Sequence, residues 1–152
     1  MTGFNHGTTG ALIALTVKKP ELAIPLAFAS HFVQDTIPHS DYFAGKKDER
    51  IFSKAFNRML VFDFSASVTL MIILGVAFPS HKWLIWACMV AAACPDAMQS
   101  YYFWYLERVK NRKPNFDPIS RIHYKIQNES RAGGLVEIAW AIVGLIIIFN
   151  LR

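Results

Sequence analysis

Cysteine is nearly missing from this chain, and charge is thin. The two cysteines, Cys88 and Cys94, stand six positions apart inside an apolar run. That spacing fits neither a CxxC pair nor a zinc ribbon and leaves them as small buried hydrophobes. No basic stretch precedes the first apolar run and no small-residue cleavage site follows it, which argues for an uncleaved membrane protein and against a secreted one. No inverted repeat relates the apolar segments, which counts against a secondary transporter. In place of charge there is hydrocarbon: 53% of the 152 residues are hydrophobic, and the mean hydropathy is +0.27. A soluble domain of this size is rarely so apolar.

A helix needs about 20 residues to cross the roughly 30 Å of bilayer hydrocarbon. Met59 to Phe78, Trp83 to Tyr105 and Leu135 to Leu151 meet that requirement. Gly7 to Val17 and Leu22 to Ile37 are shorter and more polar, and cross only with their flanks or with protein on one side. The expected fold is a single all-α domain over residues 1–152, a polytopic membrane bundle of about five transmembrane helices with short interfacial helices. Gly3, Gly7 and Ala11 recur every four residues and give the first helix a small-residue face for close packing. Lys18-Lys19-Pro20 ends that helix and starts the second. Between Arg50 and Met59, Ile51, Phe52, Ala55 and Phe56 fall at the spacing of an interfacial amphipathic helix. Asp117 and Pro118 read as the cap and first residue of another short helix, with Ile119, Ile122, His123 and Ile126 on one face.

A net charge of +5 with a pI near 9.4 raises the question of nucleic acid, but basic residues in a membrane sequence report topology first. Five crossings put the five Lys and Arg between Tyr42 and Arg58, and the seven between Glu107 and Arg131, on the side of the N-terminus. Only Lys18, Lys19, Lys82 and Arg152 fall opposite. The positive-inside rule then places the N-terminus in the cytoplasm, and no nucleic-acid partner is expected.

The densest polar stretch is Ser30 to Asp41. In a helix, His31 and Asp35 project four residues apart from one face, and Pro38 then turns the chain so that His39 and Asp41 can return toward them. His6 is either a packed neutral imidazole or a further ligand, and His123 either packs at the interface or looks inward. Asp63 and Glu137 stand about one turn inside their apolar runs. Asp96, directly after the kinking Pro95, lies deeper, roughly 13 Å below the interface at 1.5 Å per residue. Asp35, Asp41, Asp63, Asp96 and Glu137 cannot all stay ionised in low dielectric without cations. A divalent metal is the simplest compensation. The candidate ligands are His6, His31, Asp35, His39, Asp41, Asp96 and His123, and zinc or a similar ion among them would lower the pKa of a water. Asp63 or Glu137 could then serve as general base. Two other readings use the same residues: a transport or ion-binding protein whose intramembrane acids relay protons or cations, and a scaffold whose polar core only holds helices together.

His6 followed by Gly10, Ser30-His31 with Asp35 and Pro38-His39, and the Pro95-Asp96 dipeptide together give a likeness that runs thinly over most of the chain. On these residues the chain resembles the integral-membrane metal-dependent hydrolases, a group that includes the LexA-binding inner-membrane protein. Typical members carry Pro-Asp-x-Asp-His and a separate His-rich helix start, whereas this chain has Pro95-Asp96-Ala97-Met98-Gln99 and no second His-rich element. The resemblance implies an inner (plasma) membrane helical fold with His and Asp metal ligands, His31, Asp35 and His39 among them. It also implies a hydrolase acting among membrane lipids on an unnamed substrate, a lipid-derived or phosphoester compound.

Overall fold

The structure is a computed structural model that describes residues 1–40, 54–102, 105, 109–111, 116–130 and 132–152. Among the described residues it is all-helical: α1 (Gly3–Val17), α2 (Pro20–Thr36), α3 (Lys54–Ala77), α4 (Lys82–Ser100), α5 (Pro118–Ile126) and α6 (Gly133–Asn150). Asp41 and the residues up to 53 lie outside the described residues, so the expected ligand Asp41 and the first part of the expected Arg50–Met59 helix fall there too. From Lys54 onward that segment is the beginning of α3 and not a separate element.

The α1–α2 hairpin forms as its sequence suggests. Lys18 takes a left-handed conformation at φ 58° and returns its N–H to the Ala14 carbonyl, while Pro20 and Glu21 open α2. Helix α1 is the hub and packs on α2, α3, α4 and α6. Its small-residue face is what permits this: a β-carbon at Gly10 would run into the backbone of Cys88 and Met89, so α1 and α4 touch main chain to main chain. On α6, Gly144 gives the same access to Thr8.

Helices α3 and α6 are long and apolar enough to cross a membrane, and only 17% and 22% of their most apolar windows are buried. The core helix of a soluble protein would be mostly covered. Here Val61, Phe62, Phe64 and Val76 of α3 and Leu135, Ile142 and Ile146 of α6 all stand exposed, an apolar surface of the kind that marks contact with lipid or another protein.

Helix α5 starts as expected. Asp117 accepts from the N–H groups of Ile119 and Ser120 at 2.8 and 3.1 Å, and the Ser120 hydroxyl donates to it at 2.7 Å. The Ser120 hydroxyl and N–H, with help from Tyr102, hold its carboxyl down to about 2. His123 looks inward, as one of its two readings had it, but Ile119 and Ile122, expected on its face, do not follow it. Ser120 and His123 are buried, while Ile119 and Ile122 are exposed. Three backbone bonds then stitch the segment after α5 to the end of α2: Asn128 N–H to the Asp35 carbonyl, His39 N–H to the Asn128 carbonyl, and Ser130 N–H to the His39 carbonyl. They set where α5 lies.

Candidate metal centre

Four helices bring their polar residues to one point. His6 comes from α1, His31 and Asp35 from α2, Asp96 from α4 and His123 from α5. The expected i, i+4 pair is present, with His31 Nε2 3.2 Å from Asp35 Oδ2. His123 Nε2 lies 2.7 Å from the same Oδ2 and 3.0 Å from His31 Nε2. The nearer Asp96 oxygen, Oδ1, is 3.8 Å from His31 and 3.5 Å from His123. His6 stacks on His31 with ring centroids 3.8 Å apart, and its Nε2 is 3.2 Å from Asp35 Oδ1 and 3.7 Å from Asp96 Oδ2. All three imidazoles and Asp35 are fully buried, whereas the Asp96 side chain is one-third exposed.

The imidazoles are held by their far nitrogens. His31 Nδ1–H donates to the Ala92 carbonyl at 2.7 Å, in the turn of α4 that precedes Pro95. His6 Nδ1–H donates to Gln34 Oε1 at 3.0 Å, and the Gln34 amide is itself fixed by donating to Thr9 Oγ1 at 2.8 Å. A proton on Nδ1 leaves the Nε2 lone pair facing the centre, the tautomer a metal ligand needs. His6 Nε2 has no hydrogen-bond partner although it is fully enclosed. His123 Nδ1 also lacks one, and the Gln127 amide lies 3.2 Å from the His123 Nε2, where an ion would compete with it for the same lone pair.

The spacing suits one ion. Bonds of about 2.0 to 2.2 Å in tetrahedral array put neighbouring ligand atoms about 3.3 to 3.5 Å apart. His31 Nε2 and His123 Nε2 lie 2.7 to 3.8 Å from one another and from Asp35 Oδ2 and Asp96 Oδ1. His6, His31, Asp35 and Asp96 likewise each offer a ligand atom within 4.8 Å of the others. The group can hold a metal ion. On Asp35 the other oxygen is taken by the Met1 amine at 2.6 Å.

Charge leads to the same place. Asp63 accepts from the N–H groups of Gly3 and Phe4 at 2.8 and 3.0 Å. Glu137 accepts from the Thr2 N–H at 3.2 Å, the Thr2 hydroxyl at 2.7 Å and the Asn5 amide at 2.9 Å. Thr2 itself makes no side-chain cap. The two carboxylates therefore sit at the positive end of α1 in place of a cap, where its free N–H groups and dipole compensate them. Asp96 has no such compensation among the described residues, only the three imidazoles.

Not every expected ligand joins. His39 is buried, but its Nδ1–H donates to the Ile37 carbonyl at 2.9 Å and its backbone pairs with residues 128 and 130. Among the described residues it makes no side-chain hydrogen bond or ion pair with the cluster. A β-carbon at Gly133 would strike its main chain, so α6 begins tight against it. Sequence reading missed Gln34, Gln127 and the Ala92 carbonyl. A glutamine between His31 and Asp35 was visible as a polar residue in an apolar helix, but its role depends on α1 lying beside it.

No protein-family model matches the chain, and no curated protein or solved structure matches it either.

Proposed function

We propose that this chain is an integral-membrane hydrolase dependent on a divalent metal, with zinc the ion best suited to mixed imidazole and carboxylate ligands at this spacing. The observation that carries the reading is the convergence of His31 Nε2 and His123 Nε2 on Asp35 Oδ2 and Asp96 Oδ1, at imidazole–imidazole and imidazole–carboxylate separations of 2.7 to 3.8 Å that suit the ligand shell of a single ion. His6 completes the cluster from α1. A divalent ion held there supplies Lewis-acid activation of water near neutral pH. The protein's own groups prepare the site: Gln34 and the Ala92 carbonyl hold two imidazoles in the ligand tautomer, and Asp96 brings the cluster to the wall of a cavity. Of the two carboxylates considered as general base, Asp63 lines that cavity and keeps acceptor capacity beyond its two backbone bonds. We assign it the proton, and Glu137 the cap of α1. The resemblance to integral-membrane metal-dependent hydrolases points the same way, toward a lipid-derived or phosphoester substrate.

The membrane part of the proposal is a five-crossing bundle with the N-terminus in the cytoplasm of the plasma (inner) membrane, α1 being screened from lipid by its neighbours. Exposed Leu22, Leu26 and Val33 on α2 and Trp83 and Val90 on α4 support it, as does the excess of Lys and Arg in residues 42–58 and 107–131. Reporter fusions at Lys47 and Lys113 should both read cytoplasmic, and either one reading outside overturns the orientation. Elemental analysis of the detergent-purified protein tests the metal. About one ion per chain is expected. A metal-free wild type that stays folded in chelator-free buffer would leave the polar core as a scaffold.

A further inference from the structure

A cavity of about 710 Å³ lies between α1, α3 and α4, within the roughly 300–1,000 Å³ of ligand pockets. Its two ends differ in chemistry. At one end are Asp96, Gln99 and Gln127; Asp96 is 3.5 Å from His123 Nε2, and the Gln127 amide is 3.2 Å from that nitrogen. Along α3 and α4 away from that end the lining turns to Val68, Met71, Met89 and Val90. Its wall is also open. Val61, Phe64, Val68 and Val90 line the cavity and are 66%, 70%, 37% and 59% exposed, so the mouth lies on the outward apolar face of α3, one of the two membrane-length helices. A solute arriving from water would meet hydrocarbon at that mouth.

We propose that this cavity binds the single hydrocarbon chain of an amphiphile that enters sideways between α3 and α4, with its ester or phosphoester headgroup delivered to Asp96. This rests on the hydrolase reading and names its substrate class. The chain lies along Val68, Met71, Met89 and Val90, and its burial there supplies the affinity. The Gln99 amide, whose oxygen accepts from Gln127 at 3.5 Å, keeps its own N–H groups as donors to headgroup oxygens. Asp96, Gln99 and Gln127 stand together at one end, beside His123, which sets which part of the molecule reaches the cluster.

The test uses the full chain in phosphatidylcholine nanodiscs with palmitoyl lysophosphatidylcholine carrying a diazirine at the chain end. Photolysis followed by peptide mapping should place the adducts on Val68 to Met71 and on Met89 and Val90. Val68→Trp, which fills the cavity, should lower that labelling by about tenfold, equivalent to about 1.4 kcal/mol of affinity. Val76→Trp, on the same helix but outside the lining, should leave it unchanged. An unchanged thermal melting point of Val68→Trp in detergent serves as the folding control; if it falls, Val90→Trp on the facing wall takes its place. Labelling spread evenly over exposed residues such as Val76 and Ile138, or undiminished in the filled variant, overturns the proposal. The two readings fail separately. Site-specific labelling of a protein that binds no metal removes the hydrolase and keeps the cavity, whereas bound metal with scattered labelling does the reverse.

Discussion

His123 Nε2 and Asp35 Oδ2 lie 2.7 Å apart although 88 positions separate them in the chain. The contact is made by folding back the segment after α5, which pairs with Asp35 and His39 through backbone bonds and so presses the buried face of α5 onto the end of α2. His123 thereby enters a cluster already begun by the neighbouring turns of α2.

Alanine at His123 should therefore lower bound metal as strongly as alanine at His31 or Asp35, with each variant still inserted in the membrane. His39→Ala should retain the metal, its backbone bonds to residues 128 and 130 being kept. Metal analysis of the four variants decides. Equal loss at His39 and His123 would mean that the ligand set extends to the turn after Pro38.

Gln34→Leu should weaken metal binding by about 10- to 100-fold, the usual effect of removing the partner that orients a ligating histidine. The substitution is close to isosteric and Thr9 keeps a donor in Trp140 at 3.0 Å, but the buried His6 Nδ1–H loses its acceptor, so stability should fall by about 1–3 kcal/mol as well. The check is a competition titration with a chromophoric chelator. An affinity equal to wild type would show that His6 needs no orienting partner or does not bind the ion.

Gly10→Ala should destabilise the bundle by about 1–3 kcal/mol, the usual cost of overpacking, because the added methyl group meets the main chain of Cys88 and Met89. A backbone cannot move aside as a side chain can. Thermal unfolding in detergent should show the loss, and a Tm unchanged from wild type would contradict the close α1–α4 contact.

Replacing Asp63 with Asn and Glu137 with Gln keeps oxygen acceptors but removes both charges from the N-terminus of α1. Each should cost a few tenths of a kcal/mol to about 2 kcal/mol through the lost helix-terminus interaction. Asp63→Asn should also abolish turnover with metal content intact, while Glu137→Gln should spare it. The opposite pattern would exchange the two roles assigned here.

Asp117 makes a pH-dependent contribution. Its carboxyl is held at about 2 in the folded chain, against about 3.9 for a free aspartate. The folded pKa is depressed, so the stabilisation is fully present above the free value and is lost as pH falls through about 2. Pepsin cleavage within α5 should rise over that window in the wild type, and the dependence should be absent in Asp117→Asn. Identical acid profiles would show that the capping carboxylate does not anchor α5.

Much of the local structure was legible in the residue order. The two-lysine turn before Pro20, the cap and proline opening α5, the His31–Asp35 pair and the small-residue face of α1 all depend on bonds and spacings within about four residues. Partners across the bundle were not. Asp63 and Glu137 looked like unpaired acids because the N–H groups they accept from belong to α1, and no periodicity in α3 or α6 reports that. Ile119 and Ile122 marked the wrong face of α5 for a related reason. Apolar spacing identifies the inward side only where the outside is polar, and in a chain whose longest helices carry exposed phenylalanine and isoleucine that assumption fails. There the inward face is the one that carries Ser120 and His123, selected by the carboxylate and imidazoles that the packing of α1, α2 and α4 had already gathered.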